Sequence, residues 1–204
     1  MKKSIFLISA GIMMLFIYAG FDNKGPANKQ ELGKLLFFDP ILSRDSTISC
    51  ASCHKPEFAF ADTSAVSIGV GGARGTRNTP SAMNVVLPKA FFWDGRATTL
   101  EQQALMPIAN PLEMDLPVEE AVRRLYENDK YRAYFMNIYN NVPTGWNLGE
   151  SLAAFERTLE TSESSFDHWR VHRNSKAVSA AVKRGFDVFN KKGKCVNCHL
   201  GSNF

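Results

Sequence analysis

All four cysteines and two of the four histidines lie in two Cys-x-x-Cys-His motifs, Cys50-Ala51-Ser52-Cys53-His54 and Cys195-Val196-Asn197-Cys198-His199. This spacing is typical of covalent haem attachment, in which each thiol adds to a haem vinyl group and the adjacent histidine becomes an axial ligand of the iron. The sequence therefore predicts two covalently bound c-type haems, with His54 and His199 as iron ligands.

Other uses of paired cysteines fit this chain less well. Two structural disulfides are an alternative in an exported protein, but a histidine directly follows each pair. A zinc ribbon would need the two pairs much closer together in sequence, and a thioredoxin-like site would need a βαβ context that neither pair has.

Helices must position these motifs, and no alternating strand pattern competes with the helical periodicity. Capping residues, prolines and apolar spacing predict helices over Lys29 to Phe38, from a Thr98-x-x-Glu101 box to Pro107, from Pro117 through Tyr126, over Lys130 to Tyr139, from an Asn147-x-x-Glu150 cap to Leu159, and over Ala177 to Phe189. Residues 62–98 are rich in Gly, Thr, Asn and Pro and predict a long, ordered loop. The predicted fold class is mainly α.

Two haem motifs indicate two cytochrome c-like haem domains, which we place at residues 22–162 and 163–204. Only five residues follow His199, too few to cover the second face of a haem. We therefore expect the second domain to be incomplete in this chain.

The first 21 residues resemble a secretory leader, because Lys2 and Lys3 precede an apolar stretch from Ile5 to Phe21. They predict export, normally to the periplasm, with an uncleaved N-terminal membrane anchor as the alternative. The net charge of +4 is spread along the chain, which argues against a nucleic-acid partner.

Four further segments carry a family resemblance: Leu35-Leu36-Phe37-Phe38-Asp39, Gly75-Thr76-Arg77-Asn78-Thr79-Pro80-Ser81, Phe92-Trp93-Asp94-Gly95-Arg96-Ala97 and Asn110-Pro111-Leu112-Glu113-Met114. With the two haem motifs, they resemble the bacterial dihaem cytochrome c peroxidase family, which includes MauG-like enzymes. The resemblance implies a peroxidatic first haem and a second haem that passes electrons in. It implies hydrogen peroxide as substrate and a small electron donor such as a cytochrome c, and it leaves a homodimer open.

The resemblance also assigns residue roles. Glu113 resembles the family's acid-base residue, Gln103 its polar neighbour, Trp93 the aromatic residue between the haems, and Asn78 a calcium ligand. A carboxylate suits the first role because cleavage of peroxide requires a proton to move between its two oxygens. Without the resemblance, Glu113 reads as a loop residue and Trp93 as a buried aromatic beside its phenylalanine neighbours.

One position departs from the family pattern. Many of these peroxidases have a histidine in the loop between Ser67 and Gly75 that ligates the first haem and must be displaced. Here the matching position is Val70, which has no ligating atom, so we expect the oxidised first haem to be five-coordinate or water-bound. This departure favours the MauG-like branch, whose members oxidise a protein or organic substrate. A third hypothesis for the function is a non-catalytic dihaem electron carrier.

Overall fold

A computed structural model describes residues 25–199, so the predicted leader over residues 1–21 lies outside the described part. The helices are α1 (Lys29–Phe38), α2 (Cys50–Cys53), α3 (Leu100–Ala109), α4 (Val118–Glu127), α5 (Asp129–Tyr139), α6 (Gly145–Glu156), α7 (Ser165–Arg170) and α8 (Ala180–Asn190). Short 3-10 turns occupy Pro40–Leu42, Pro56–Phe58, Val70–Gly72 and Cys195–Asn197. Between residues 25 and 199 there is no strand, only three isolated β-bridges, which confirms the mainly α fold class. Within that range, no helix has both the length and the apolar character needed to cross a membrane.

Local capping explains where most helices begin and end. The Asn28 side chain accepts a hydrogen bond from the Glu31 backbone at 2.9 Å and starts α1, and Asp39 before Pro40 ends it. The predicted bounds of α1 are confirmed, as are those of α5 to within one residue.

Both predicted ends of α3 are wrong. The cap of α3 is Thr99, not Thr98, and Pro107 lies inside the helix, which continues to Ala109. A proline inside a helix loses its own backbone hydrogen bond and crowds the carbonyl four residues earlier, and here the helix ends two residues beyond it.

The predicted cap of α6 is also misplaced. Thr144 caps this helix, and Asn147 is its reciprocal partner three residues later, with the Asn147 side chain accepting from the Thr144 backbone at 2.7 Å. The sequence signal for this helix start was a capping box in which Thr144 is the cap and Asn147, three residues later, is its partner.

The core forms where α1 crosses α6. Leu32, Leu36 and Phe37 of α1 are buried against a face of α6 that includes Leu148 and Leu152. Residues of α3, α4 and α5 complete this core: Ala104, Ile108, Ala121, Leu125, Tyr131 and Phe135. The crossing fixes the end of α6 beside the segment that carries the first haem motif.

The loop predicted over residues 62–98 is present, with only the Val70–Gly72 turn inside it. From residue 160 to residue 199, no side chain is fully buried, and the aromatic rings of Phe166, Trp169 and Phe186 contact one another. This stretch therefore does not form a closed core of its own. The domain boundary at residues 162/163 stays a prediction.

Candidate haem site

One cavity of about 560 Å³ brings together the residues predicted for the first haem site. Its wall is formed by α2, the loop of residues 62–98, α3 and the end of α6. The predicted residues that line it are Cys50, Cys53, His54, Asn78, Trp93, Gln103 and Glu113. These residues lie up to 63 positions apart in the sequence, and the fold brings them together around one cavity that is large enough to hold a ligand.

The first motif is a single helical turn. The His54 backbone donates to the Cys50 carbonyl at 2.9 Å, so both thiols and the imidazole project from neighbouring positions of one turn. Both cysteines are free thiols and partly buried. Burial, with the nearby Glu156 carboxyl as the next cause, raises the pKa of the Cys50 thiol to about 12.

The His54 imidazole is prepared for metal ligation. Its Nδ1 lies 2.9 Å from the Phe60 carbonyl oxygen, so Nδ1–H can donate there and leave Nε2 for a metal. Burial lowers the pKa of His54, although the carbonyls of Phe60 and Pro80 oppose this shift. A lowered pKa favours the neutral ring, which is the form that binds iron.

These features fit a c-type haem. Two free thiols and an oriented imidazole lie at one end of a cavity with mixed apolar and polar walls, which is the donor set that covalent attachment requires. Cys50, Cys53 and His54 would hold this cofactor.

Glu113 lies in the turn after α3, with its side chain half-buried at the cavity wall. Its Oε1 accepts a hydrogen bond from the Asn110 amide at 2.9 Å, and its backbone carbonyl accepts from the Val70 amide at 2.8 Å. Burial raises the pKa of Glu113, opposed by the Asn110 bond and more weakly by the Arg96 charge.

Gly69 explains how the loop reaches Glu113 so closely. A Cβ at Gly69 would lie 2.3 Å from the Leu112 carbonyl oxygen and 2.6 Å from that of Glu113. Only glycine allows this approach. The loop that holds Val70 therefore fixes the backbone of Glu113.

Charged and aromatic groups form the rim of the cavity. Arg96 pairs with Asp94 at 2.8 Å and stacks 3.6 Å above the Phe92 ring, while Arg77 reaches Asp94 at 3.4 Å. Trp93 next to them is 72% exposed. The reading of Trp93 as a buried packing residue is therefore wrong.

Sequence reasoning missed Glu156, which joins Asp94 and Glu113 as a carboxyl group in the cavity wall. It is buried at the end of α6, and burial raises its pKa to about 8, opposed by the Arg157 charge. No residue pattern indicates this role, because Glu156 follows an apolar helix face and the α1–α6 crossing brings it to the cavity.

The second motif stands apart from this cavity. Cys195, Cys198 and His199 are exposed, and the His199 backbone donates to the Cys195 carbonyl at 2.9 Å, as in the first motif. The His199 ring lies 6.2 Å from that of Phe189. The motif thus forms the same turn, but the described residues build no pocket around it comparable to the first.

Asn78 is exposed in the long loop, where its amide nitrogen donates to the carbonyls of Ser64 and Asp62 at 2.6 and 3.2 Å. These bonds orient the side chain. Its proposed role as a calcium ligand stays a prediction.

Comparisons with known proteins agree with this geometry. The family model described as di-haem cytochrome c peroxidase matches residues 27–176. The methylamine utilization protein MauG of Methylorubrum extorquens is 42% identical over 173 residues, covering 84% of this chain and 49% of that protein. Cytochrome c peroxidase Ccp of Escherichia coli is 42% identical over 176 residues, covering 86% of this chain and 37% of that protein.

A solved structure is similar as well. The crystal structure of a MauG-like protein associated with microbial copper homeostasis superimposes with a TM-score of 0.76 at 32% identity, covering 87% of this chain and 53% of that one. The chain thus spans about half the length of the MauG and MauG-like proteins named above and 37% of the length of Ccp.

Proposed function

The chain belongs to the di-haem cytochrome c peroxidase family, and from that premise we propose that the protein reduces hydrogen peroxide to water with electrons from a small c-type cytochrome or a similar donor. Each turnover consumes two electrons and two protons and releases two water molecules. The observation that carries the proposal is Glu113, a half-buried carboxyl group that shares one cavity with the Cys50, Cys53 and His54 donor set.

The first haem would be held covalently by Cys50 and Cys53, and His54 Nε2 would ligate its iron. When bound, the haem supplies the iron at which the oxygen–oxygen bond of peroxide is broken and through which electrons arrive. His54 is oriented for this by its contact with the Phe60 carbonyl at 2.9 Å.

Glu113 moves the proton. An ionised Glu113 carboxylate takes a proton from one peroxide oxygen and returns it to the departing oxygen, acting first as base and then as acid. Burial raises the pKa of Glu113, which strengthens the carboxylate as a base in the first step, and the Asn110 amide at 2.9 Å keeps Oε1 in position. Gln103, on the α3 wall of the same cavity, would orient peroxide by hydrogen bonding.

Electrons would arrive through a second haem held by Cys195, Cys198 and His199. Trp93, exposed at the cavity rim, offers a polarisable ring for transfer between the two haems. The leader over residues 1–21 supports export to the periplasm, with a membrane anchor as the alternative. Asn78, held by its loop bonds, would contribute an amide oxygen to a calcium ion.

The test uses the full-length, two-haem protein, oxidised and half-reduced, mixed with hydrogen peroxide and reduced cytochrome c in a stopped-flow spectrometer. We expect Glu113→Gln to lower peroxide turnover by about 10²- to 10⁴-fold, the usual contribution of a positioned acid-base group, with haem content unchanged. Glu119→Gln, at an exposed carboxylate of α4, is the matched control. Unchanged turnover in Glu113→Gln would contradict the proposal and favour a simple electron carrier.

Val70 supports a second candidate, the MauG-like oxidation of a protein or organic substrate. Its side chain has no ligating atom and is buried, and its backbone is bonded to Glu113. The same experiment separates the two enzymes, because a peroxidase oxidises the added cytochrome c, whereas an oxidase consumes peroxide only with its own substrate.

A further inference from the structure

Two histidines lie outside the haem motifs, and both are partly or fully exposed near the start of the second predicted domain. His168 is in α7 and His172 follows two residues after the helix ends. A separation of four residues puts both side chains on one face, and their ring centroids are 5.2 Å apart.

A third side chain joins them. The Glu163 carboxylate, immediately before the α7 cap, has Oε2 3.2 Å from His168 Nε2 and Oε1 3.5 Å from His172 Nε2. The three ligating atoms all lie within 4.8 Å of one another. The cluster therefore presents two imidazoles and one carboxylate towards a common point.

Backbone contacts hold the cluster together. The α7 start is a reciprocal capping box between Ser164 and Asp167, which fixes the residue after Glu163. The His172 backbone donates to the Asp167 carbonyl at 3.2 Å, so the turn continues past the helix. Nearby Arg170 faces the rings of Trp169 and Phe186 at 5.5 and 4.8 Å, so its charge is engaged by the aromatic cluster.

We propose that Glu163, His168 and His172 bind a divalent transition-metal ion of the zinc and copper class, separate from the haem irons. Two imidazoles and a carboxylate are a ligand set that zinc uses, with water in the fourth position. Two atoms bound at about 2.1 Å to one tetrahedral ion lie roughly 3.4 Å apart. Here each imidazole lies 3.2 or 3.5 Å from a different oxygen of Glu163, and one atom from each of the three residues lies within 4.8 Å of the others. Rotation of these exposed and partly exposed side chains would bring the three atoms to the spacing that an ion requires.

The ligand chemistry also sets the selectivity. Imidazole nitrogens suit zinc and copper, whereas calcium takes six to eight oxygen ligands. A bound ion would tie Glu163, ahead of α7, to His172 beyond its end, and so would stiffen the start of the second predicted domain.

The experiment is calorimetric titration of the full-length, haem-loaded protein with zinc chloride, repeated with copper and calcium chlorides, followed by dialysis and metal analysis. Among residues 1–204, haem binding would engage His54 and His199, so His168 and His172 are the histidines of this part that stay available for an added ion. We expect one equivalent of zinc, tighter binding of copper, and no calcium binding that depends on His168 and His172.

Variants assign the site. His168→Ala, His172→Ala and Glu163→Gln are each expected to weaken zinc binding by about tenfold or more, while Glu160→Gln, a neighbouring exposed carboxylate, leaves it unchanged. Far-UV circular dichroism checks that the variants fold. Absence of saturable zinc binding, zinc binding that survives in the His168→Ala/His172→Ala double variant, or calcium binding that is lost in that variant would overturn the proposal.

Discussion

The crossing of α1 and α6 gives a prediction that can be worked from distances. At Gly33, a Cβ atom would lie 1.8 Å from the Ser151 carbonyl oxygen, 2.6 Å from the Ser151 carbonyl carbon and 2.9 Å from the Phe155 Cβ. Two of these atoms are backbone, which cannot rotate away. Gly33→Ala therefore forces the helices apart.

The magnitude follows from two opposing effects. Alanine in place of glycine favours a helix by about 1 kcal/mol, whereas overpacking a core costs about 1–3 kcal/mol and sometimes more. Separation would also loosen the contact of Phe37 with Phe155, whose rings are 5.1 Å apart. We expect a net loss of about 2 kcal/mol, which lowers Tm by roughly 4–8 °C in a protein of this size.

The assay is thermal unfolding of the haem-loaded protein, followed by far-UV circular dichroism. Gly185→Ala is the matched control, because a Cβ at Gly185 on exposed α8 meets nothing within 4 Å, so this change should leave Tm equal or slightly raised. If Gly33→Ala melts at or above the wild-type temperature, the helices do not cross as closely as described and the reasoning is refuted.

Three further outcomes are expected. Asn110→Ala removes the hydrogen bond that lowers the pKa of Glu113, so the acid limb of the pH profile of kcat/KM for peroxide should move to higher pH. An unmoved limb would show that Asn110 does not influence the pKa of Glu113. Burial raises the pKa of Glu156 from an ordinary 4.5 to about 8, so the folded state holds a proton that the unfolded state releases, and stability should fall as pH rises between these values. Glu156→Gln should reduce this slope in melts at several pH values, and an unchanged slope would contradict the assignment. The fully oxidised protein should show one high-spin haem by electron paramagnetic resonance, since Val70 offers no ligand, and two low-spin haems with nitrogen or sulfur axial pairs would rule this out.

Features that depend on a few neighbouring residues could be predicted from the sequence. The start of α1 is set by Asn28 and Glu31, three positions apart, and the first haem motif is a single turn. The misplaced cap of α6 shows the limit of such signals. Thr144 and Asn147 form the capping box, whereas the predicted cap was Asn147, three residues later.

Features that depend on distant contacts could be predicted only through the family resemblance, or not at all. Nothing near Glu113 in sequence indicates a cavity, and its position depends on Gly69, 44 positions earlier. Glu156 was missed for the same reason. Its surroundings arise from the crossing of two helices, which has no residue pattern of its own.

Glu113 and Glu156 show how surroundings act on two carboxyl groups in the wall of the haem cavity. Burial raises the pKa of both, but the Asn110 amide and the Arg96 charge oppose the shift at Glu113, whereas at the more deeply buried Glu156 the Arg157 charge opposes it and the Glu101 charge adds to it. A pKa raised to about 8 favours the protonated form of Glu156, which places less negative charge beside Cys50. The Asn110 hydrogen bond favours the ionised form of Glu113, so of these two groups Glu113 is the one whose surroundings suit the role of a base.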